Sequence, residues 1–570
     1  MKKKSWVLLL LLFVSGGLLV FHLPGQNLTS GAVAETRAYE CSDCNVIFIL
    51  IDTLRADHLP MYGYQRNTAP NLQALADNGI VFRNALAQSS WTKPATATYF
   101  TGLYPKNHQA DTNERKLTEE KLLLPEILQD NGFNTHAFIA NPAVGTTAGF
   151  NQGYDTFIEK TYPDDYSDTL NGEIIPFIES LNKTSKQFIY LHYMDPHYPY
   201  EPREKNFFSY NDSVEKFIND VFASGFSLNA SGFEETYEKK TEIARVMMGL
   251  YDDEILYNDK MIGNVLAALK RKGMYENSII IVVSDHGEEF MDHGSFHHGE
   301  TLFNEMLKVP WIMRLPNKVH LEVDKMVGEI DLIPTLLPLL DINPPEGIDG
   351  INVLSKEKHD SSFAELNLRG HIFSSVQTPE DKLITGVIDK PDVKTLLPYT
   401  WFEKETEITF KGTSVNIPIM SFYKNQDISI YRDGRMILNR IVPPFSGGGF
   451  TLNFEDEEEK TLKIVSDTPC TKVSKISGRE EDQRCLSFGL IRSPYPELDK
   501  GLQPFYGYFR LQSDPQELEN HYVDPSMQDR VNAMEKEIDR YNEKKVSENK
   551  EEVEYTEEQL RALKALGYLN

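Results

Sequence analysis

Basic residues are scarce in this sequence. Lys and Arg total 58 against 85 Asp and Glu over 570 residues, a formal net charge of −27. That sign argues against nucleic acid as a partner, because phosphate backbones are bound through basic surface. Cysteine is scarcer still, with four residues, Cys41, Cys44, Cys470 and Cys485. The first two form a CxxC, but no second CxxC or Cys/His cluster accompanies it, so a zinc site has little support. Beyond the first two dozen residues no apolar run is long enough to span a bilayer, which excludes a multispanning membrane protein. No Gly-Lys-Ser/Thr follows the one glycine triplet, so Phe445-Ser446-Gly447-Gly448-Gly449 reads as a turn and not a phosphate loop. Internal repeats are absent too. Apolar material is plentiful, at 40% hydrophobic and 11% aromatic. That supplies large cores, and at roughly 100–200 residues per domain the length allows two to four domains.

Lys2, Lys3 and Lys4 precede an apolar run from Trp6 to Phe21, the order of an export segment. Its roughly 16 apolar residues fall between a cleaved signal core and the ~20 of a spanning helix. Ala32-Val33-Ala34 offers a small-x-small cleavage site. A released protein and one held by a single membrane anchor both remain open, and both place the rest of the chain outside the cytoplasm, in a periplasmic or other extracytoplasmic space. An even number of cysteines fits that setting. Three pairings exist, of which Cys470–Cys485 is preferred here.

Val46–Ile51 is an unbroken apolar run rich in β-branched residues, the mark of a strand buried on both faces, and it stops at Asp52. Ser278–Val283 repeats the pattern and stops at Ser284-Asp285-His286-Gly287. Between them, Pro70–Asp77 and Lys240–Lys272 carry helical spacing, ended by Asn78-Gly79 and Gly273. Gln187–Leu191 and Val309–Leu315 add short strands. The alternation predicts an α/β fold with a doubly wound, mainly parallel sheet, followed after about Gly350 by a smaller β-rich region. The expected divisions are an export segment with linker over 1–40, a catalytic domain over 41–350, a β-rich subdomain over 351–500, and a C-terminal segment over 501–570. The charge runs Glu455–Glu459 and Lys544–Glu554 read as solvated loop and linker. The last segment closes with a helix whose capping box is Thr556 and Gln559, whose stripe is Leu560, Leu563 and Leu566, and whose cap is Gly567; the stripe should dock on the body.

In open α/β sheets ligands bind outside the carboxyl ends of the strands, where Asp52, Asp285 and His286 fall. Two acids with an imidazole suit a divalent ion drawn from Mn, Zn, Ca and Mg, the nitrogen favouring Zn or Mn over an all-oxygen Ca site. Each acid alone equally suits a cap on the turn that follows it. Thr92, in Ser90-Trp91-Thr92-Lys93-Pro94, stands at or just before a helix N-terminus, where free N–H groups favour an anion. As a simple N-cap it would do nothing more.

These residues bring a family into view. Asn45-Val46-Ile47 through Ile51-Asp52-Thr53-Leu54-Arg55-Ala56-Asp57, Ala69-Pro70-Asn71-Leu72, and Thr92-Lys93-Pro94 through Thr101-Gly102-Leu103-Tyr104-Pro105 match in order and spacing. So do His192-Tyr193-Met194-Asp195-Pro196-His197, Ser284-Asp285-His286-Gly287, Val309-Pro310-Trp311 and Asp331-Leu332-Ile333-Pro334-Thr335-Leu336. Near the end, Asp514-Pro515-Gln516-Glu517-Leu518 and Leu566-Gly567-Tyr568-Leu569 fit as well. The chain resembles the sulfatase branch of the alkaline-phosphatase superfamily, well over residues 44–350, moderately over the last seventy and hardly between. The resemblance implies a metal-assisted displacement at sulfur or phosphorus, with Asp52, Thr92, Asp285 and His286 at the metal and Thr92 as nucleophile.

The sequence departs from that family where it matters. Sulfatases carry a Cys or Ser that is oxidised to formylglycine, and Thr92 cannot be. Thr96 replaces the Arg of the Cys-x-Pro-x-Arg signature, and no Gly-Lys-x-His segment stands near Gly132-Phe133-Asn134-Thr135. A threonine resembles the phosphotransferring relatives, so the expected activity is a hydrolase or phosphotransferase acting on phosphate or related sulfate and phosphonate esters. A sulfatase without formylglycine and an inactive envelope-binding module are the alternatives. By resemblance His197 contacts the transferring group or the leaving oxygen and His298 protonates the leaving group, with His297 as its neighbouring competitor. Lys93 is expected to neutralise a substrate oxygen. The substrate is then a small-molecule, lipid-borne or glycan-borne anionic ester.

Overall fold

Every residue of the Asn45–Ile51 strand is buried, which a strand achieves only with a layer packed on each face. Its side chains divide with the period of two: Val46, Phe48 and Leu50 enter one core, and Ile47, Ile49 and Ile51 the other. In the computed structural model this strand pairs in parallel with Lys186–Tyr193 on one side and Ser278–Val283 on the other. The structure describes residues 39–570 except 161–165, 183–184, 201–236, 294, 389–398, 403, 412, 422–425, 443–447, 455, 457, 469–470, 473–484, 487, 492–502, 523, 525, 544–550, 567 and 569–570. The export segment and Gly567 therefore lie outside the described residues. Among the described residues no helix is long and apolar enough to cross a membrane.

The central sheet has eight strands, ordered Leu321–Gly328, Ile80–Leu86, Trp311–Arg314, Ser278–Val283, Asn45–Ile51, Lys186–Tyr193, Phe133–Ile139 and Thr156–Glu159. All pairings are parallel except those of Trp311–Arg314, which runs antiparallel to both neighbours. Helices cover both faces. Leu72 and Leu75 of Pro70–Ala76, Leu170, Ile174 and Ile178 of Ser167–Ser180, and Ile255, Ile262 and Leu269 of Tyr237–Lys272 fill one core. On the other face lie Thr92–Thr101, Leu124–Asp130, Leu332–Leu339 and, from the far end of the chain, Leu563 and Leu566. The predicted docking of the last helix, Glu557–Ala565, is thus found, with Thr556 and Gln559 forming its capping box. Leu560 is the stripe residue left partly in solvent.

Beyond residue 350 the described strands form three four-stranded antiparallel sheets and one two-stranded ladder, Thr471–Lys472 with Cys485–Leu486. The first, Ser362–Leu368, His371–Gln377, Asp381–Ile388 and Gln503–Arg510, abuts the α/β core through Ala364, Leu366, Leu368 and Phe505. A helix at Gln528–Glu543, unforeseen in the sequence, covers its far side with Val531, Met534 and Ile538. Two details correct the sequence expectations. Gly448 and Gly449 belong to the strand Gly448–Asn453, which pairs with Ser414–Ser421, and not to a turn. Cys41 and Cys44 form a disulfide, so the CxxC is a clip at the start of the first strand and no metal site; the preferred partner Cys470 lies outside the described residues.

Candidate active site

Three adjacent parallel strands deliver the acids and imidazoles. Asp52 follows Asn45–Ile51, Asp285 follows Ser278–Val283 by one residue, and His192 is the penultimate residue of Lys186–Tyr193. The parallel register sets Leu50 opposite both His192 and Val283, so the three side chains leave the sheet at one level. Thr53, immediately beyond Asp52, takes a φ of 56°. In that left-handed conformation its N–H reaches Asp285 Oδ1 at 3.2 Å, coupling the two strand ends.

The fourth component comes from a helix that is wholly buried. Thr92–Thr101 starts without a side-chain cap, its N-cap position being Trp91, and ends at Gly102, whose φ of 66° suits a left-handed helix stop. Thr92 is therefore the first helical residue and not an N-cap. Pro94 is tolerated because first-turn amides have no partner within the helix. Thr92 Oγ1 meets Asp52 Oδ2 at 3.3 Å, His286 Nε2 at 3.2 Å, Asn141 Nδ2 at 3.4 Å and Tyr568 Oη at 2.5 Å. All five residues are buried.

Electrostatics separate the two acids. Burial works to raise the Asp52 carboxyl, but the hydrogen bond from His192 at 3.1 Å and the charges of His197, His192 and His286 outweigh it and hold Asp52 well below the carboxylate range. Asp285 goes the other way, pushed up by burial and then by the negative charge of Asp52 beside it. Asp52 Oδ1 and Asp285 Oδ2 are both buried without a hydrogen-bond partner. Two inward-facing acceptors with no donor describe a place for a cation. Among the described residues, the acid and imidazole group whose ligand atoms all lie within 4.8 Å of one another is Asp52, His192 and Asp285. His286 Nε2 also faces both acids, 3.8 Å from Asp52 Oδ1 and 3.5 Å from Asp285 Oδ2. Its tautomer is fixed, because Nδ1 can only donate to the Gly287 carbonyl at 2.9 Å, leaving a lone pair on Nε2 aimed at the acids. His192 Nδ1 faces the Tyr190 hydroxyl at 2.7 Å, a group able to donate or accept, so His192 can serve either as a ligand or as a donor to Asp52.

The predicted histidines gather over this floor. The His298 ring lies 4.5 Å from His286 and 4.9 Å from His197 between centroids. Its Nδ1 donates to Glu288 Oε1 at 3.0 Å, and Nε2 is buried without a partner. Burial and the neighbouring His286 and His197 hold His298 well below the ordinary imidazole range, so it rests neutral. His297 turns instead toward the Tyr198 ring, 4.7 Å away. His197 Nδ1 donates to the Tyr198 carbonyl.

Lys93 is placed differently from the expectation. It is fully buried, and its Nζ donates to the carbonyls of Asn113 and Arg115, both at 2.9 Å. Burial lowers its pKa to about 7. Asn113 in turn donates to the Tyr568 carbonyl at 2.8 Å, so Lys93 secures the loop that secures Tyr568.

Reading the sequence alone missed His192 as a member of the cluster, and Asn141 and Tyr568 altogether. Asn141 follows the carboxyl end of Phe133–Ile139 and donates to Asp52 Oδ2 at 2.8 Å. Searching the end of the predicted Gln187–Leu191 strand as well would have found His192, while Asn141 follows a strand that the sequence reading did not include. Tyr568 had no such signal: 476 residues separate it from Thr92.

Comparison with known proteins points to one family. A family model described as Sulfatase matches residues 44–342, just over half of the chain. The uncharacterized sulfatase YidJ of Escherichia coli is 24% identical over 371 residues, covering 57% of this chain and 73% of that protein. An ulvan-active sulfatase of Formosa agariphila is 25% identical over 338 residues, 54% of this chain and 63% of its own length, so the chain spans less than two thirds of that relative. Among solved structures, the phosphonate monoester hydrolase of Agrobacterium radiobacter matches with a TM-score of 0.55 at 16% identity, over 88% of this chain and 95% of that one, a likeness of fold.

Proposed function

This chain belongs to the sulfatase family of the alkaline-phosphatase superfamily and is a hydrolase, and on that premise we propose that it cleaves sulfate or phosphonate monoesters with Thr92 as nucleophile and a divalent metal ion at Asp52, Asp285 and His286. The observation that carries the reading is Thr92 Oγ1 itself, a buried hydroxyl at a helix start, within 3.4 Å of Asp52, His286, Asn141 and Tyr568. The two unpartnered carboxylate oxygens and the lone pair of His286 fit a cation of Mn or Zn type. Such an ion supplies what a threonine lacks, a lowered hydroxyl pKa and polarisation of an ester oxygen.

The protein's own groups account for the rest. Asp52 Oδ2 and His286 Nε2 hold the Thr92 hydroxyl on one side while Tyr568 donates to it from another, because burial and then Asp52 keep the phenol well above its ordinary pKa and protonated. Thr92 Oγ1 bonds to sulfur or phosphorus as the bond to the leaving oxygen breaks, and the Thr92 proton passes to solvent. An anionic ester entering beside His298 favours its protonated form, so that His298 takes up a proton from solvent and delivers it from Nε2 to the leaving oxygen. Water then attacks the sulfur or phosphorus of the threonine ester and gives a proton to His298 as the bond to Thr92 Oγ1 breaks, and Thr92 regains its proton from solvent as sulfate or phosphonate departs. We place the enzyme outside the cytoplasm, a reading supported by the export segment and by the Cys41–Cys44 bridge.

The test is intact-protein and peptide mass spectrometry after brief exposure, in separate tubes, to an aryl sulfate and an aryl phosphonate monoester with Mn²⁺. A substrate-derived adduct on Thr92, absent in Thr92→Ala together with turnover, is the expected result. Turnover that survives in Thr92→Ala removes the threonine from the mechanism.

A further inference from the structure

The turn joining Ser362–Leu368 to His371–Gln377 has only Arg369 and Gly370 at its centre, because Leu368 and His371 face each other across the ladder. Both central residues take positive φ, 54° and 82°. That is the geometry of a tight hairpin turn whose positions are usually filled by Asn, Asp or Gly. Gly370 suits it; an arginine there is strained. A side chain kept in a disfavoured backbone conformation is a reason to ask what it does.

The hairpin tip rests on the site. A Cβ on Gly299, next to His298, would fall 2.7 Å from Leu368 Cδ2 and 3.7 Å from Trp91 Cβ. The Arg369 side chain is enclosed, 14% exposed, and its Nε is buried without a partner. The carboxylate nearest the guanidinium, Glu300 Oε1, is 3.9 Å from it, beyond hydrogen-bond range. Glu300 is also a weak counter-charge, since burial pushes its carboxyl up. Arg369 meanwhile acts electrostatically on Tyr568, Glu288, His297 and His298. Guanidinium stays charged, and an enclosed cation without a full partner is costly unless an anion completes it.

We propose that Arg369 binds a second oxyanion on the substrate, a carboxylate, sulfate or phosphate carried by the leaving group and separate from the ester being cleaved. The side follows from position: Leu368, next to Arg369, packs on Gly299, and the Arg369 guanidinium lies 3.9 Å from Glu300, which puts it on the flank of the histidine assigned to the leaving oxygen, while the transferred group faces Thr92 and the acids. The planar fork matches two oxyanion atoms at once. In a chain of net charge −27, a local cation also offsets the repulsion an anionic substrate meets on approach. The substrate class is accordingly a dianionic ester. This rests on the ester-hydrolase reading of the site.

The test compares three non-hydrolysable sulfonates by titration calorimetry on the full chain: benzenesulfonate, 4-sulfobenzoate and benzene-1,4-disulfonate. Arg369→Asn removes the charge while placing a turn-favoured residue, so folding is preserved and the thermal midpoint stays level or rises. Expected is a loss of roughly ten- to a hundred-fold in affinity for the two dianions and little change for benzenesulfonate, with Arg369→Lys recovering part of it. Equal weakening of all three probes, or of none, overturns the proposal. Turnover of phenyl sulfate is followed in parallel. If the wild type cleaves no ester yet binds the dianions through Arg369, the hydrolase reading fails and Arg369 stands; cleavage without Arg369-dependent binding is the reverse.

Discussion

Tyr568→Phe removes one oxygen and leaves the ring in its setting, 5.7 Å from His298 and 6.1 Å from both Trp91 and His197 between centroids. The oxygen lost is the nearest polar neighbour of Thr92 Oγ1, at 2.5 Å against 3.2–3.4 Å for the other three. One neutral buried hydrogen bond contributes about 0.5–1.5 kcal/mol to stability. In a chain this large that lowers the thermal midpoint by only about 0.5–1.5 °C. The effect on rate should be larger than the effect on folding. Without the tyrosine hydroxyl, Thr92 is free to turn away from its line of attack, and a loss of about 1.4 kcal/mol in the transition state is a tenfold fall in kcat. Steady-state rates on an aryl sulfate, alongside the yield of Thr92 adduct, measure this directly. A variant faster than the wild type would refute the reasoning, since it would mean that the hydroxyl obstructs the nucleophile; an unchanged rate would mean that it does nothing there.

Chelation followed by re-addition of Mn²⁺ or Zn²⁺ should raise the thermal midpoint, because an ion at a hundred times its Kd adds about 2.7 kcal/mol, and Asp52→Asn should abolish the shift; an ion-independent melting curve would remove the metal from Asp52 and Asp285. Glu289→Gln tests a second buried acid, pushed up to about 8 by burial and then by Glu305. A carboxyl whose folded pKa exceeds its unfolded value destabilises the fold as pH rises from about 4.5 through 8, so the variant should match the wild type at pH 5 and exceed it at pH 9 by about 3 kcal/mol in denaturant melts; equal stability at both pH values would contradict this. Gly287→Ala would put a Cβ 1.9 Å from the Glu305 carbonyl oxygen, and the displaced Asp285-His286 segment should cost at least ~3 kcal/mol and most of the activity; normal melting would show that the segment can shift freely.

The strands ahead of Asp52 and Asp285 were legible because each is an apolar run, and the position of the two acids at their ends follows from the sheet, whereas Phe133–Ile139, ahead of Asn141, is interrupted by Asn134, Thr135 and His136. What escaped has physical causes. Gly448 and Gly449 carry no side chain to reveal a strand, and their pairing with Pro418 and Ile419 is a long-range contact. The Gln528–Glu543 helix hides its stripe, Val531, Met534, Ile538 and Tyr541, in a charge-rich stretch. Lys93 stands beside the nucleophile in sequence, yet the helix turns its ammonium toward the Asn113 and Arg115 carbonyls. Local spacing places a residue on an element, while the destination of a long side chain depends on which loops pack there.

The separation of 476 residues between Thr92 and Tyr568 also sets an order in time. At about 5–20 residues per second on the ribosome, Thr92 precedes Tyr568 by roughly half a minute to a minute and a half. The acids, the imidazoles and the threonine are all made before the tyrosine, so the nascent chain sets Thr92 among Asp52, His286 and Asn141 before its nearest polar neighbour exists. The sheet can form early, but the active centre closes only when the final helix docks, which ties the onset of catalysis to the arrival of the last segment.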